Sequence, residues 1–204
     1  LLTRPPAPAE TAAPPAVQAP STATPAPAPP VAAAPLDLHG QFQQLVASHT
    51  AGFDVLAQAE RTQLRIDRDE LRFSVSSSRD GHVYVLLAGP DGSLMQLYPN
   101  DKARNNRIAA GQTLKLPQAG WPLKASEPAG LEHFLVLVTA EPRSFAPWST
   151  GKDSGYGLLS LPSAAPATGG DPAAPSWLLG LPDCGRPACA GEFGAAVFSV
   201  DVVR

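Results

Sequence analysis

Residues 71–100 have the sequence LRFSVSSSRDGHVYVLLAGPDGSLMQLYPN, which contains three apolar runs. The first run, 71–76, alternates apolar and polar residues, as a half-buried strand does. The second, 82–88, is apolar on both faces, as is typical of a strand in the middle of a sheet, and 94–98 forms the third. Asp-Gly and Pro-Asp-Gly separate the runs and favour tight turns, because Gly accepts positive φ and Pro presets its own φ. The stretch predicts a three-stranded β-meander.

Further strands are expected on both sides of the meander. Residues 132–139 (EHFLVLVT) are apolar on both faces and predict a second central strand, whereas 195–203 (AAVFSVDVV) alternate and predict the last strand. Shorter strands are expected at residues 53–55, 64–66, 113–116 and 122–126. The domain is therefore predicted to be mainly β: a single β-sandwich or partly open barrel of about seven to nine mostly antiparallel strands, with one or two packing helices.

One segment has a helical pattern. Apolar residues recur at helical spacing through residues 38–49, and Asp37 is suited to cap the helix N-terminus. We expect this helix to pack on the sheet, with packing against a partner chain as the alternative.

The segment 140–194 lacks periodicity and is rich in Pro, Gly, Ser and Ala. It is predicted to be a long irregular insertion with short helices near 154–161 and 174–181. The aromatic residues expected to hold it on the sheet are Trp148, Tyr156 and Trp177.

Composition separates the N-terminal part from the rest. Eleven of the 24 prolines lie in residues 1–35, which are otherwise mostly Ala, so we expect a disordered linker there and a single β-rich domain at 36–204. The linker is interpreted as a spacer; a PxxP ligand is the alternative. A net charge of −3 gives no electrostatic basis for binding nucleic acid or an anionic membrane. No apolar run is long enough to span a bilayer, although Leu1 and Leu2 are compatible with the end of an upstream transmembrane helix.

Cys184 and Cys189 are the two cysteines of the chain. Their proximity in sequence favours a local disulfide, which persists in an oxidising compartment such as the periplasm. Two reduced thiols are the alternative, and a metal site is disfavoured because further ligands with suitable spacing are missing.

No catalytic pattern is evident. The four histidines lack ligand spacing, and there is neither a GxSxG motif nor a glycine-rich phosphate loop. We therefore expect no enzymatic activity, no cofactor and no metal site in this chain.

The best candidate for a binding surface is the loop at residues 97–107, here called the basic loop, with three cations in six residues. Such a loop can bind an anion or the acidic surface of a partner. The simpler interpretation is that its asparagines form turns and its cations are merely solvated. The candidate residues are Tyr98, Asn100, Asp101, Lys102, Arg104 and Arg107.

The sequence also resembles a known family. Four stretches are similar to a bacterial domain-of-unknown-function family: DELRFSVSSSRDGHVYVLLAGPDGSLMQLYPN, AGQTLKLP, EPAGLEHFLVLVTAEPRSF and the ending EFGAAVFSVDVV. That family occurs at the C-terminus of membrane-anchored Ser/Thr protein kinases, some linked to type VI secretion, and beside caspase-like peptidases. The resemblance covers about residues 64–145 and supplies no catalytic residues.

The resemblance and the composition together imply a function. We expect a non-catalytic, periplasmic sensor or protein-interaction domain of a membrane-bound Ser/Thr kinase, itself soluble and tethered to the inner membrane by an upstream helix. Its partner would be an envelope or secretion-system protein or a cell-wall ligand, and not nucleic acid. The alternative is a free-standing periplasmic binding, accessory, inhibitor or immunity protein.

Overall fold

Strands dominate the computed structural model, which describes residues 37–160, 176–185 and 189–204. The helix α1 is Leu38–Ala47. The strands are β1 Val55–Ala59, β2 Gln63–Arg65, β3 Glu70–Leu71, β4 Phe73–Ser77, β5 Gly81–Ala88, β6 Leu94–Tyr98, β7 Arg107–Ile108, β8 Thr113–Leu116, β9 Leu123–Lys124, β10 Gly130–Thr139, β11 Arg143–Ser144, β12 Ser149–Asp153, β13 Tyr156–Leu159, β14 Leu181–Pro182 and β15 Phe193–Val203. Two short 3₁₀ helices lie at Ala146–Trp148 and Ser176–Leu179.

The predicted mainly β class is confirmed. Within the described residues the chain forms fifteen strands, of which six have only two or three residues. Of the strands expected, those at 64–66 and 122–126 are the short strands β2 and β9, whereas the longer strands β12 and β13 were not expected. The linker predicted at residues 1–35 lies outside the described residues.

The largest sheet has β5 and β10 at its centre. Its strand order is β12-β13-β6-β5-β10-β15-β2, and β7 pairs with the start of β5. Neighbouring strands are antiparallel except β15 and β2, which are parallel. In β10, Phe134, Val136 and Val138 face one core, and Leu135 and Leu137 face the other. Both faces of the central strands need cover, as their apolar sequences predict.

A three-stranded sheet covers one of these faces. Its strand order is β1-β4-β8. Phe73 and Val75 of β4 are buried in one core with Val85 of β5 and Val136 of β10. The two sheets pack face to face, so the described residues form a β-sandwich and no closed barrel.

Helix α1 and the segment after β10 cover the opposite face. Phe42 and Leu45 of α1 are fully buried there. The helix starts where predicted, because the carboxylate of Asp37 accepts a hydrogen bond of 2.9 Å from the backbone N–H three residues later. Trp177 is buried in the same core, and its indole Nε1 donates to Oε1 of Gln41 at 3.1 Å. The prediction that this helix packs on the sheet is confirmed.

The predicted meander at residues 71–100 is only partly correct. β5 and β6 form a hairpin across the Pro-Asp-Gly turn, where Gly92 has a φ of 80°. β4, however, pairs with β1 and β8, so the Asp-Gly pair before β5 carries the chain from one sheet to the other. A Cβ at Gly81 would lie 2.7 Å from the backbone oxygen of Thr139. Glycine is therefore required there by a close backbone approach rather than by a hairpin turn.

The segment 140–194 has more regular structure than predicted. The helix expected at 154–161 is wrong, because β12 and β13 form a hairpin whose turn contains Ser154, with a φ of 51°. Two glycines in these strands interrupt the alternation that would have indicated them. The helix expected at 174–181 is present as the short 3₁₀ helix Ser176–Leu179.

Candidate functional site

The structure buries two members of the predicted basic loop. Tyr98 has no solvent exposure, its ring stacks on Trp121 at 5.7 Å between centroids, and its hydroxyl donates to a carbonyl of the loop. The buried side chain of Asn100 donates to the carbonyl three residues earlier at 2.8 Å. Its oxygen accepts from two backbone N–H groups of the loop at 2.9 Å each. Tyr98 therefore shapes the loop from inside, whereas Asn100 forms a turn, as the simpler interpretation of the asparagines predicts, and also lines the shallow cleft beside β13.

The charged members of the loop are exposed but do not form one patch. Lys152 Nζ lies 2.6 Å from Oδ1 of Asp101, and this hydrogen bond lowers the pKa of the Asp101 carboxyl. Arg104 and Lys152 line a shallow cleft of about 310 Å³ beside β13. Arg107 lines a different depression near the start of β5, and Lys102 lines neither. The loop therefore offers separate cations rather than a single anion site.

Cys184 and Cys189 form the predicted disulfide, with their Cα atoms 5.9 Å apart. The bridge braces the short loop after β14. Such bonds are typical of proteins in an oxidising compartment.

A larger cleft lies at the end of the sandwich. No residue of the three-stranded sheet β1-β4-β8 lines this cleft. We call it the Glu132 cleft; its volume is about 400 Å³. Its floor is formed by side chains of β5, β6 and β10: Leu87, Met95, Leu97, Glu132 and Phe134. One wall is the segment 122–128, which contains β9, and the other is the β12–β13 turn with Asp153, Ser154 and Tyr156. With Leu64 and Leu71, seven separate stretches of the chain build one mostly apolar cleft.

The carboxyl group of Glu132 is the unusual feature of this cleft. Glu132 lies on the same face of β10 as Phe134, opposite Val200 of β15, at a position where the pattern of the strand calls for an apolar side chain. It makes no hydrogen bond or ion pair with any described residue. Burial raises the pKa of Glu132 to about 7, and the negative charge of Asp91 contributes to the rise.

Glu132 was not among the residues predicted from the sequence, although the sequence contains a signal for it. In EHFLVLVT the carboxylate lies two, four and six residues before Phe134, Val136 and Val138, which all point into the core. Extending the alternation by one step would have placed a charge on the buried face. The cleft itself could not be predicted, because its walls come from segments distant in sequence.

A histidine pair lies on the other face of β10. The rings of His133 and His39 stack with their centroids 3.9 Å apart, and Nδ1 of His133 lies 2.7 Å from the hydroxyl of Ser199. Burial, followed by the proximity of His39, lowers the pKa of His133. The pair joins α1 to the sheet.

Among residues 37–160, 176–185 and 189–204, no three His, Cys, Asp or Glu side chains are grouped so that they could hold a metal ion. In the same residues no helix has the length and apolar character needed to cross a membrane. The chemistry available in the Glu132 cleft is thus that of a mostly apolar surface with three carboxyl groups, those of Glu127, Glu132 and Asp153, which can bind and orient a ligand.

Comparison with known proteins gives one match. Residues 63–142 match the model of a family described as a domain of unknown function (DUF4384). No curated protein and no solved structure matches the chain significantly. The matched segment runs from β2 through β10, so it contains the basic loop, the β5–β6 hairpin and Glu132. Over these residues the chain is similar to that family of unknown function.

Proposed function

We propose that the chain is a non-catalytic, extracytoplasmic binding domain that senses a protein partner for a membrane-bound Ser/Thr kinase. The observation that carries the binding role is the Glu132 cleft, an open and mostly apolar cleft of about 400 Å³. The carboxyl group of Glu132 in this cleft has no partner among the described residues. Apolar pockets with few convergent polar groups are the usual form of binding sites. A secretion-system or other envelope protein is the expected class of partner.

The scaffold around the cleft suits a receptor. The floor is made of hydrogen-bonded strands of the large sheet, which hold Met95 and Phe134 in place. The walls are connections, at 122–128 and at the β12–β13 turn. An occupant that touches floor and walls together would hold these connections in one arrangement, and this gives binding a structural consequence.

The compartment and the kinase link rest on different support. The Cys184–Cys189 disulfide favours an oxidising, extracytoplasmic location, and we propose the periplasm. The link to a Ser/Thr kinase, and to type VI secretion, rests on the family resemblance. The proposed kinase link predicts that the reading frame upstream of Leu1 encodes a transmembrane helix preceded by kinase motifs. A signal peptide directly upstream would contradict the receptor role and favour a free-standing periplasmic protein.

The binding role is tested by photo-cross-linking in cells. Ser126 is an exposed residue of the cleft wall, so a photoreactive amino acid there should give a specific covalent adduct with an envelope protein. The same amino acid at Thr113, exposed on β8 and outside the cleft, is the matched control. Adducts that are equal at both positions, or absent at both, would refute the cleft as the binding site.

A further inference from the structure

The floor of the Glu132 cleft combines a carboxyl group with long apolar side chains. Met95, Leu97 and Phe134 line the same floor, and none of them offers a hydrogen-bond donor to the carboxylate. Glu132 is half-buried, and an ionised carboxylate held there without donors loses part of its hydration, so a ligand that brings a cation into the cleft gains more than one that brings only apolar surface.

The charged groups that line the cleft or lie beside it are mostly negative. Asp91 lies in the β5–β6 turn, Glu127 in the wall segment and Asp153 at the β12–β13 turn. The cations are Lys124 on the wall and Arg204, whose Nε lies 3.1 Å from Oε1 of Glu127. With Glu132 ionised, four carboxylates face two cations, so the cleft attracts a positively charged occupant.

We propose that the cleft binds a basic peptide segment of the protein partner, with one lysine or arginine side chain inserted so that its cationic group pairs with Glu132. The aliphatic stem of that side chain would lie against Met95 and Phe134, as lysine and arginine stems do on apolar surfaces. This inference rests on the proposed binding function and adds the chemistry of the partner. No other role for the carboxyl group is needed.

The observations favour a peptide segment over a small amine. A single amine neutralises the carboxylate of the floor but leaves Asp153, which lines the cleft, and Asp91 in the β5–β6 turn without a cationic partner among the described residues. A segment with a second basic residue can pair with one of them as well. An acidic or neutral apolar segment is disfavoured, because it leaves the carboxylate of Glu132 buried without a partner.

The test uses the full 204-residue chain and isothermal titration calorimetry at about pH 8, where Glu132 is ionised. The probes are a capped Leu-Lys-Leu-Lys-Leu peptide, the same peptide with norleucine in place of lysine, and pentylammonium. The lysine peptide should bind at least about tenfold more tightly than either other probe, since a charge-assisted pair in a partly buried site is worth that much. Equal affinity for the lysine and norleucine peptides would overturn the proposal, and tighter binding of pentylammonium would replace the peptide with a small amine.

Two variants assign the effect to one carboxyl group. Glu132→Gln keeps the size and polarity of the side chain, and it should weaken binding of the lysine peptide about tenfold. Glu60→Gln removes an exposed carboxylate outside the cleft and should leave the affinity unchanged. Unchanged affinity in Glu132→Gln would refute the pairing.

The pH dependence provides an independent readout. Because the carboxyl of Glu132 must be ionised to pair, affinity for the lysine peptide should fall about fivefold between about pH 8 and pH 6, and Glu132→Gln should abolish this dependence. A pH-independent affinity would contradict the inference. If the lysine peptide binds no more tightly than the norleucine peptide while a specific cross-link still forms at Ser126, the basic segment is refuted and the binding function remains in place.

Discussion

Replacing Glu132 by glutamine should stabilise the folded protein at neutral and alkaline pH. Glutamine has the shape of the protonated carboxyl group but carries no charge into the apolar cleft. The folded-state pKa of Glu132 is about 7, against an ordinary value of 4.5. A group whose pKa is raised by folding contributes stability that is fully present below 4.5 and is lost as the pH rises through about 7. Above that range the wild-type protein carries the whole cost of an ionised, unpaired carboxylate.

The size of this cost follows from the pKa difference. At about 1.4 kcal/mol for each pKa unit, and with a reduction for the remaining solvent contact of the side chain, the cost is roughly 2 to 3 kcal/mol. Glu132→Gln should therefore raise the free energy of unfolding by roughly 2 to 3 kcal/mol at about pH 8 and change it little near pH 4. For a domain of this size the melting temperature should rise by roughly 4 to 12 °C at about pH 8.

The measurement is a set of urea unfolding curves at several pH values for wild type, Glu132→Gln and the control Glu60→Gln. The quantity to compare is the difference in free energy of unfolding between wild type and variant. The lowered pKa of His133 makes stability fall as the pH drops below about 6.5, in both proteins alike, so this contribution cancels in the difference. A difference that is the same at low and high pH would refute the reasoning. So would a destabilised variant at about pH 8, because it would mean that the ionised carboxylate has a stabilising partner.

Three further substitutions test interactions that stabilise the fold outside the Glu132 cleft, each measured by urea unfolding. Asn100→Ala should cost roughly 2 to 3 kcal/mol, because it removes three hydrogen bonds inside the basic loop and leaves their backbone groups buried; a loss below about 0.5 kcal/mol would contradict its structural role. Gly194→Ala should cost roughly 2 kcal/mol, because a Cβ would lie 2.4 Å from the backbone oxygen of Phe53, whereas Gly191→Ala, where a Cβ would meet nothing within 4 Å, should be nearly neutral. Asp37→Ala should cost about 1 kcal/mol through loss of the helix cap, and no change would mean that α1 does not depend on that cap.

The elements that could be predicted from the sequence are those whose signal is local. The continuous apolar run in residues 132–139 predicts a strand covered on both faces, and the helical spacing in 38–49 reports which side chains share a face, so β10 and α1 were located and their burial was anticipated. The partner of β4 could not be predicted, because its pairing with β1 and β8 joins segments that are distant in sequence and leave no local trace. The adjacent position of β4 and β5 in sequence favoured a meander, and the structure places them in different sheets.

The basic loop shows the same limit at the level of single side chains. Tyr98 and Asn100 were assigned to a surface because polar atoms in a loop usually face water. In the structure the loop folds over both, and their polar atoms find partners on its own backbone. Side-chain polarity therefore predicted that these residues make hydrogen bonds, but it could not predict where.

The contrast between Asn100 and Glu132 distinguishes a structural polar residue from a functional one. Both are polar groups drawn into an apolar region. The side chain of Asn100 makes three hydrogen bonds, so its burial stabilises the loop, and removing it should only destabilise. The carboxyl group of Glu132 makes none with the described residues, so its burial is unfavourable above about pH 7 and no fold requirement explains it. The free-energy cost of holding the ionised carboxylate in the cleft is not offset within the folded domain, but it can be offset when a cationic ligand enters the cleft. For this reason the proposed binding function depends on Glu132 rather than on the basic loop.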